Sequence, residues 1–406
     1  MRGLFLGGLA LANLGIMLAF FTPILNLLPR LSEEIAGADG KEAALAVVTG
    51  VGVIGSVIGN PLAGALSDRT TSRFGRRRPW LLGGSLLGMV GLIIMPHMTS
   101  VVTLTILWLV VQFAVNSAYA GLTATIPDQV PVDQRGVASG LVGLAQALGP
   151  VLGVGLVTYV VLSLDGGSYV TAVLFVLFVL PFVFILKDPP LSPKDRPPFE
   201  LGPFVKGFWV SPRLYPDFGW AWLARFLVSL GFAMATLYLL YFLQDHLGFE
   251  AIEAGKQQTT LLLVYTLGTV ITAVLGGYIS DRMGRRKVFV VVATVIMAVA
   301  GVLLSLTPDN QDGYSVAMAA AAILGIGYGW YLAVDQALIT QVLPTAGDRA
   351  RDLGVINIAN SMPQVLAPVL CALFVTQLGG YPALYLATAV ITLLGALAVL
   401  PIKSVR

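Results

Sequence analysis

The sequence predicts an all-α membrane protein of twelve transmembrane helices arranged as two six-helix bundles. Three observations carry that expectation. Hydrophobic residues make up 57% of the 406 and charged residues only 11%, whereas a soluble domain carries roughly 25% charge. Twelve apolar stretches each reach the length of about 20 residues that spans a bilayer. A proline-dense segment divides them six and six.

The first stretch covers about 3–28. It follows Arg2 and contains Ala10-Leu11-Ala12, a cleavage-like form. It outruns the apolar core of a secretory signal, so it is read as an uncleaved first helix. The second and third, 43–66 and 80–97, flank an arginine-rich loop. The fourth, 101–126, stops at Pro127, and the fifth, 137–163, starts after Arg135. The sixth, 169–187, ends where the prolines begin. Pro189, Pro190, Pro193, Pro197, Pro198, Pro203, Pro212 and Pro216 cannot continue a helix. Residues 188–216 are therefore read as a cytoplasmic linker between an N-terminal bundle, 1–187, and a C-terminal bundle, 217–406. Phe204, Phe208 and Trp209 suggest a short interfacial segment within it. The remaining spans are 217–243, 258–280, 288–306, 314–343, 353–378 and 382–401. Apolar residues run all round each one, as lipid requires.

Basic residues set the orientation. Of 24 Lys and Arg, only Arg30, Lys41 and Lys256 fall in loops read as external, and Arg225 lies inside a span. The other 20 lie at the termini or in the even-to-odd loops. Both termini are thus expected in the cytoplasm, and short loops suggest a bacterial inner membrane. Topology alone accounts for the arginines, so nucleic-acid binding is not needed. The single cysteine, Cys371, sits in an apolar stretch and reads as a small buried hydrophobe.

The halves echo each other. Gly64-Ala65-Leu66-Ser67-Asp68-Arg69 then Gly75-Arg76-Arg77-Arg78 follows the second span. Gly277-Tyr278-Ile279-Ser280-Asp281-Arg282 then Gly284-Arg285-Arg286-Lys287 follows the eighth. Pro127-Asp128-Gln129-Val130-Pro131 after the fourth is echoed by Gln341-Val342-Leu343-Pro344 after the tenth. Such repeats build transporters whose central site opens alternately to each side.

The doubled Gly-x-x-x-Asp-Arg and Gly-Arg-Arg loop resembles the signature of the major facilitator superfamily, and the resemblance covers essentially the whole chain. Asn60-Pro61-Leu62-Ala63-Gly64 with Ser67 through Trp80 is similar to the extended loop of glycoside–pentoside–hexuronide cation symporters and of plant sucrose transporters. The resemblance implies the major facilitator fold, a sugar or glycoside as solute, and a proton or sodium ion as partner. One departure matters. Ser56 and Asn60 stand where the sodium-coupled members carry paired aspartates, so a sodium site of that type is in doubt. The buried His and Arg that plant sucrose carriers use in the first half are missing too. A proton is the expected coupling ion.

The loop residues Gly64, Asp68, Arg69, Arg73, Gly75, Arg76, Arg77, Asp281, Arg282, Gly284 and Arg285 are topology signals and candidate cytoplasmic gate residues. By resemblance, Asp68 faces the start of the eleventh helix and Asp281 that of the fifth, where a carboxylate gains roughly 0.3–1 kcal/mol. Asp128 reads as a helix-end carboxylate pairing with Arg135, or as part of the gate.

Charges inside the membrane are costly and usually functional. Arg225 lies eight residues after Asp217, and Asp335 nine before Pro344. Both sit roughly 12–13 Å in from the same face. Equal depth makes them candidate partners, either a packing device or a proton-sensitive or substrate-binding pair, with Asp335 the proton-carrier candidate. By resemblance the first, fourth, seventh and tenth helices line the cavity. They offer Asn13, Asn26, Gln112, Asn116, Tyr119, Trp222, Tyr238, Tyr241, Tyr328, Trp330, Tyr331 and Gln336, and the eleventh adds Asn357, Asn360 and Gln364. Amides and aromatic rings suit sugars, and each residue also suits packing or an interfacial belt.

The expected function is secondary transport of a small polar solute, a sugar or glycoside, by alternating access and proton symport. The alternative is export of drugs or hydrophobic metabolites by proton antiport. Gly149-Pro150 and Gly153 in the fifth span partly resemble an element of such exporters, although they also suit ordinary helix packing. The chain shows no nucleotide loop, metal-ligand cluster or nucleophile–base set, and its two histidines, His97 and His246, fall at external ends. It is expected to be a monomer, not an enzyme, with no cofactor and no metal.

Overall fold

A computed structural model describes residues 3–131, 135–196, 202, 213–283, 286–342 and 349–403. The described residues are almost entirely helical. Two compact units, Met1–Phe199 and Glu200–Arg406, each hold six long helices. The predicted interfacial residues Phe204, Phe208 and Trp209 lie outside the described residues.

In the first unit α1 covers Gly3–Ala36, with a π-helical turn at Pro23–Leu27. Then come α2 (Lys41–Ser67), α3 (Arg78–Ile94), α4 (Val101–Gln129), α5 (Arg135–Gly155) and α6 (Leu164–Ile185). The second unit holds α7 (Pro216–Leu237), α8 (Ala251–Met283), α9 (Arg286–Ser305), α10 (Tyr314–Val342), α11 (Arg349–Gln377) and α12 (Gly380–Val399). Among the described residues eleven stretches are long and apolar enough to cross a bilayer, and α11 contributes a shorter apolar run, Ser361–Gln377.

Local chemistry explains the boundaries. Ser100 and Ser163 cap α4 and α6, their hydroxyls accepting N–H groups from Thr103 and Gly166 at 3.2 Å each. Pro79 and Pro216 sit in the first turns of α3 and α7, where a missing N–H costs nothing. Several helices outrun their apolar stretches. The helix of α1 continues to Ala36 through Ser32, Glu33 and Glu34, and ends at Gly37 with φ 74°. Pro127 does not end α4, because a proline in the last turn removes only one bond from a ladder that stops at Gln129 anyway. The predicted span 217–243 is not one helix. It breaks at Tyr238 (φ −99°, ψ 17°) and resumes through a π turn, Phe242–His246.

The internal repeat extends to the packing. In the first unit the strongest helix contacts run in the order α2, α4, α3, α6, α1, α5. In the second they run α8, α10, α9, α12, α7, α11, the same order six helices on. Close approaches fix the register. A Cβ on Gly15 would meet Phe178 at 2.8 Å and Leu174 at 3.6 Å, and one on Gly231 would overlap the Thr392 hydroxyl and meet Thr388 at 3.3 Å. Likewise a Cβ on Gly55 would overlap the Leu109 carbonyl, and one on Gly268 would meet the Ala322 carbonyl at 3.3 Å. Gly15 thus corresponds to Gly231, and Leu109 to Ala322.

Candidate functional site

The loop from α2 to α3 is built around one buried guanidinium. Arg77 donates from Nη2 to Asp68 Oδ1 at 2.6 Å, from Nε to Asp128 Oδ2 at 3.0 Å, and from Nη1 to the Ser67 hydroxyl at 2.5 Å. Arg76 approaches the same Asp128 oxygen at 3.5 Å. Charge-assisted bonds of this kind are roughly twice as strong as neutral ones. Asp188, just past α6, closes the network. Its Oδ2 accepts the backbone N–H of Arg77 at 2.6 Å and of Arg78 at 2.9 Å, capping α3. Gly75 turns the chain there with φ 102°, and a Cβ would overlap the Asp188 carboxylate. Arg69 Nη1 donates to the Ala65 carbonyl at 2.5 Å. The exposed Arg73 lies over the Phe74 ring, 4.8 Å from its centroid.

Of the predicted gate residues of the first half, Asp68, Arg76, Arg77 and Asp128 meet in one network, in which Asp128 pairs with Arg77 and Arg76. The side chain of Arg135, its expected partner, lies outside the described residues. So do Gly284 and Arg285, and the side chains of Asp281 and Arg282. One correspondence is visible. Arg78 donates to the Leu186 carbonyl capping α6, and Lys287 to the Leu400 carbonyl capping α12. Lys287 also reaches the Ile402 carbonyl at 3.0 Å.

The second cluster lies inside the second unit. Arg225 Nη2 on α7 meets Asp335 Oδ2 on α10 at 2.9 Å. Both are buried, at 6% and 5% exposure. Around them Ala224, Val228, Met297, Tyr331, Val334 and Leu338 form an apolar core. An isolated charge here would be very costly, and the pair makes it tolerable. Tyr328 stacks on Phe232 with centroids 4.2 Å apart, and Tyr265 and Tyr331 lie 6.0 and 6.3 Å from Tyr328. The Tyr331 hydroxyl is buried and has no hydrogen-bond partner.

The repeat gives this pair a control. Leu9 precedes Gly15 by six residues, as Arg225 precedes Gly231. Leu122 follows Leu109 by thirteen, as Asp335 follows Ala322. Leu9 and Leu122 are both 0% exposed. Where the second half carries an ion pair, the first half carries two leucines.

The other candidates are scattered. Asn116 donates to the Gln112 carbonyl at 2.8 Å, one turn away on α4. The exposed Gln146 of α5 donates to the Tyr119 hydroxyl at 3.0 Å. Asn13 is fully buried, and neither amide atom has a partner. Asn26 is buried with an unpaired Oδ1. Trp222 stacks on Phe226, and Trp330 meets Phe289 edge-on. Tyr238 and Tyr241 pack edge to face in the core, whereas Gln364 is exposed. The side chains of Gln336, Asn357 and Asn360 lie outside the described residues. Gly149 and Gly153 pack against α1, where a Cβ would overlap Met17 and the Thr22 hydroxyl respectively. Cys371 is buried, its thiol 3.7 Å from the Met234 carbonyl. Asp188, Phe232 and Tyr265 are additions that sequence reasoning missed. Among the described residues no three His, Cys, Asp or Glu gather as a metal site.

Comparison with known proteins follows the geometry. The family model described as "Major Facilitator Superfamily" matches residues 3–257 and 222–405. A general alpha-glucoside permease of Schizosaccharomyces pombe is 35% identical over 118 residues, 25% of this chain and 21% of that protein. An anhydromuropeptide permease of Escherichia coli K12 is 27% identical over 238 residues, 56% of this chain and 46% of that protein. The matches thus span less than half the length of these relatives. Among solved structures, a point mutant of the nucleoside transporter NupG superposes with a TM-score of 0.76 over 98% of this chain and 100% of that one, at 14% identity.

Proposed function

This chain belongs to the major facilitator superfamily, and from that premise we propose that it is a secondary active transporter moving a sugar or glycoside by alternating access and proton symport. The observation that carries the reading is the Arg225–Asp335 pair at 2.9 Å, set against Leu9 and Leu122 in the sister half. Two leucines satisfy the packing of that position. A buried ion pair adds no packing advantage over apolar residues and is often less stable than they are. Its presence points to work other than holding helices together. Asp335 is the natural proton carrier, because burial and a neighbouring guanidinium act in opposite senses on a carboxylate.

The sugar assignment is supported by the Asn60–Trp80 loop resemblance and by the alpha-glucoside permease among the relatives. The Arg77 network is the gate of the first half in this reading. Asp68, Arg76, Arg77 and Asp128 hold the loop in one arrangement and exchange partners as the transporter turns over. The protein acts as a monomeric carrier in the inner membrane with both termini in the cytoplasm.

The test is uptake by proteoliposomes under an inward proton gradient, with a panel of labelled glycosides and disaccharides. Gradient-driven accumulation that Asp335→Asn abolishes is the expected result. Equal uptake without a gradient in both proteins would mean facilitated diffusion. No sugar uptake, with transport of lipophilic cations instead, would establish the exporter.

A further inference from the structure

We propose that the end of α7 is a latch that tightens when His246 takes up a proton from water. Acidity at the face opposite the arginine-rich loops then sets how firmly this end is held. The proposal stands apart from the symport reading, since it involves neither Asp335 nor a solute.

The latch is a separate piece of helix. α7 breaks at Tyr238, and Leu239–Tyr241 and the π turn Phe242–His246 continue beyond the break. Contacts with two other helices tie this piece down. The His246 ring meets the Thr307 carbonyl, just past α9, at 2.9 Å through Nε2. The Tyr381 hydroxyl, at the start of α12, donates to Asp245 Oδ2 at 2.7 Å. A carbonyl only accepts, so Nε2 carries a hydrogen whether the ring is neutral or charged. Nδ1 is therefore the atom that takes up the proton.

The surroundings of the ring suit a cation. Phe242 stacks on His246 with centroids 5.2 Å apart and planes at 23°, and the Tyr381 ring lies 6.1 Å away. Phe242 in turn meets Tyr381 and Tyr385 edge-on. A neutral imidazole gains ordinary stacking here. An imidazolium adds attraction to the ring face and a charge-assisted bond to the Thr307 carbonyl. Among the charged groups at this end, Asp245 lies on the same turn, and Asp309 and Asp312 lie in the connection from α9 to α10. Glu250, Glu253 and Lys256 stand at the start of α8, with Lys256 and Glu253 3.5 Å apart. α12 brings the neutral Tyr381. Carboxylates outnumber Lys256, so the local field is of the sign that attracts a positive ring.

The other histidine supplies a control. His97 Nε2, after α3, lies 2.7 Å from the hydroxyl of Tyr169, near the start of α6. A phenol both donates and accepts, so this bond survives either protonation state. The Tyr169 ring is inclined at 43° to the imidazole rather than stacked on it. At His246, by contrast, the charged form gains contacts. The latch is tight in acid and loosens as pH rises through the histidine range, about pH 5 to 8.

The experiment is hydrogen–deuterium exchange of the full chain in nanodiscs. It is read on peptides covering residues 239–249 and corrected for the intrinsic pH dependence of amide exchange. Protection there is expected to rise about two- to five-fold from about pH 8 to about pH 5, the worth of one exposed cation–π contact. His246→Gln keeps a side-chain N–H for the Thr307 carbonyl but cannot become charged, so the rise should vanish. His97→Gln should leave it unchanged. Wild-type protection that is the same at both pH values would overturn the proposal, and so would a rise of full size in His246→Gln. A rise of equal size throughout the chain would mark a general effect of pH and overturn it as well.

Discussion

Asp188 accepts the backbone N–H of Arg77 at 2.6 Å, tying the end of α6 to the start of α3. The same oxygen takes the Arg78 N–H at 2.9 Å. Two orphan donors of a helix start are thus satisfied by a side chain more than a hundred residues away. In the second half Ile402 stands at the corresponding place, two residues past the cap of α12. Asp188→Ala should cost about 0.5–2 kcal/mol, the usual range for a lost cap. Asp188→Asn should cost less, because one acceptor oxygen remains. Thermal melting in detergent reads both, and an Asp188→Ala protein that melts like wild type would refute the cap.

Gly75 and Gly64 belong to the same motif but should respond differently. Gly75 has φ 102° and no room for a Cβ beside Asp188. Gly64 has nothing within 4 Å of an added Cβ in its own unit. Gly75→Ala should lower the melting temperature through backbone strain of about 1–2 kcal/mol plus the clash. Gly64→Ala should leave the melting temperature unchanged or raise it slightly, since alanine is the better helix former. Equal melting of the two variants would contradict this.

Arg77 and Arg76 are adjacent and both basic, yet only Arg77 is fully engaged. Its removal leaves Asp68, Asp128 and Ser67 without their shared donor. Arg77→Ala should destabilise by about 1–3 kcal/mol. Arg76→Ala, which removes a 3.5 Å contact between half-exposed groups, should fall within about 0.5 kcal/mol of wild type. Chemical denaturation of the two variants at equal salt measures the difference.

Breaking the Arg225–Asp335 pair one side at a time should be far worse than replacing it whole. Arg225→Leu or Asp335→Leu alone leaves a buried charge and should cost about 3–5 kcal/mol. The double variant copies the Leu9 and Leu122 arrangement, so it should regain most of that loss. A double-mutant cycle on melting data gives the coupling directly. Simple additivity of the two losses would mean the residues do not act as a pair.

Gly153 packs against Thr22 so closely that an added methyl would overlap its hydroxyl. Gly153→Ala should therefore destabilise by about 1–3 kcal/mol, the usual cost of overpacking. Adding Thr22→Ala should recover part of that loss. Absence of rescue would place the strain elsewhere in α5.

The sequence announces some of this architecture and hides the rest for physical reasons. Twelve spans are legible because lipid demands apolar length, and the repeat is legible because Gly64-through-Asp68 recurs at Gly277-through-Asp281. The Arg225–Asp335 pair is legible as a candidate, because charges within a span are costly and these two sit at equal depth on the seventh and tenth helices. Asp188 is not legible. A carboxylate before two prolines looks like loop solvation, and only the fold brings it to α3. The break of α7 at Tyr238 is also silent, since the residues around it are apolar apart from Thr236 and carry neither Gly nor Pro. The aromatic ring of Phe232, Tyr265 and Tyr328 comes from three helices whose mutual rotation hydropathy cannot report.

The correspondence of Leu9 and Leu122 with Arg225 and Asp335 has a consequence for redesign. The first half holds the counterpart positions of the Arg225–Asp335 pair, filled by two fully buried leucines. Writing arginine and aspartate into positions 9 and 122 would create a mirror copy of the pair in the half that lacks it. Such a variant would separate what the two charges do from what the surrounding helices do, since both halves would then carry the same pair on the register fixed at Gly15 and Gly55.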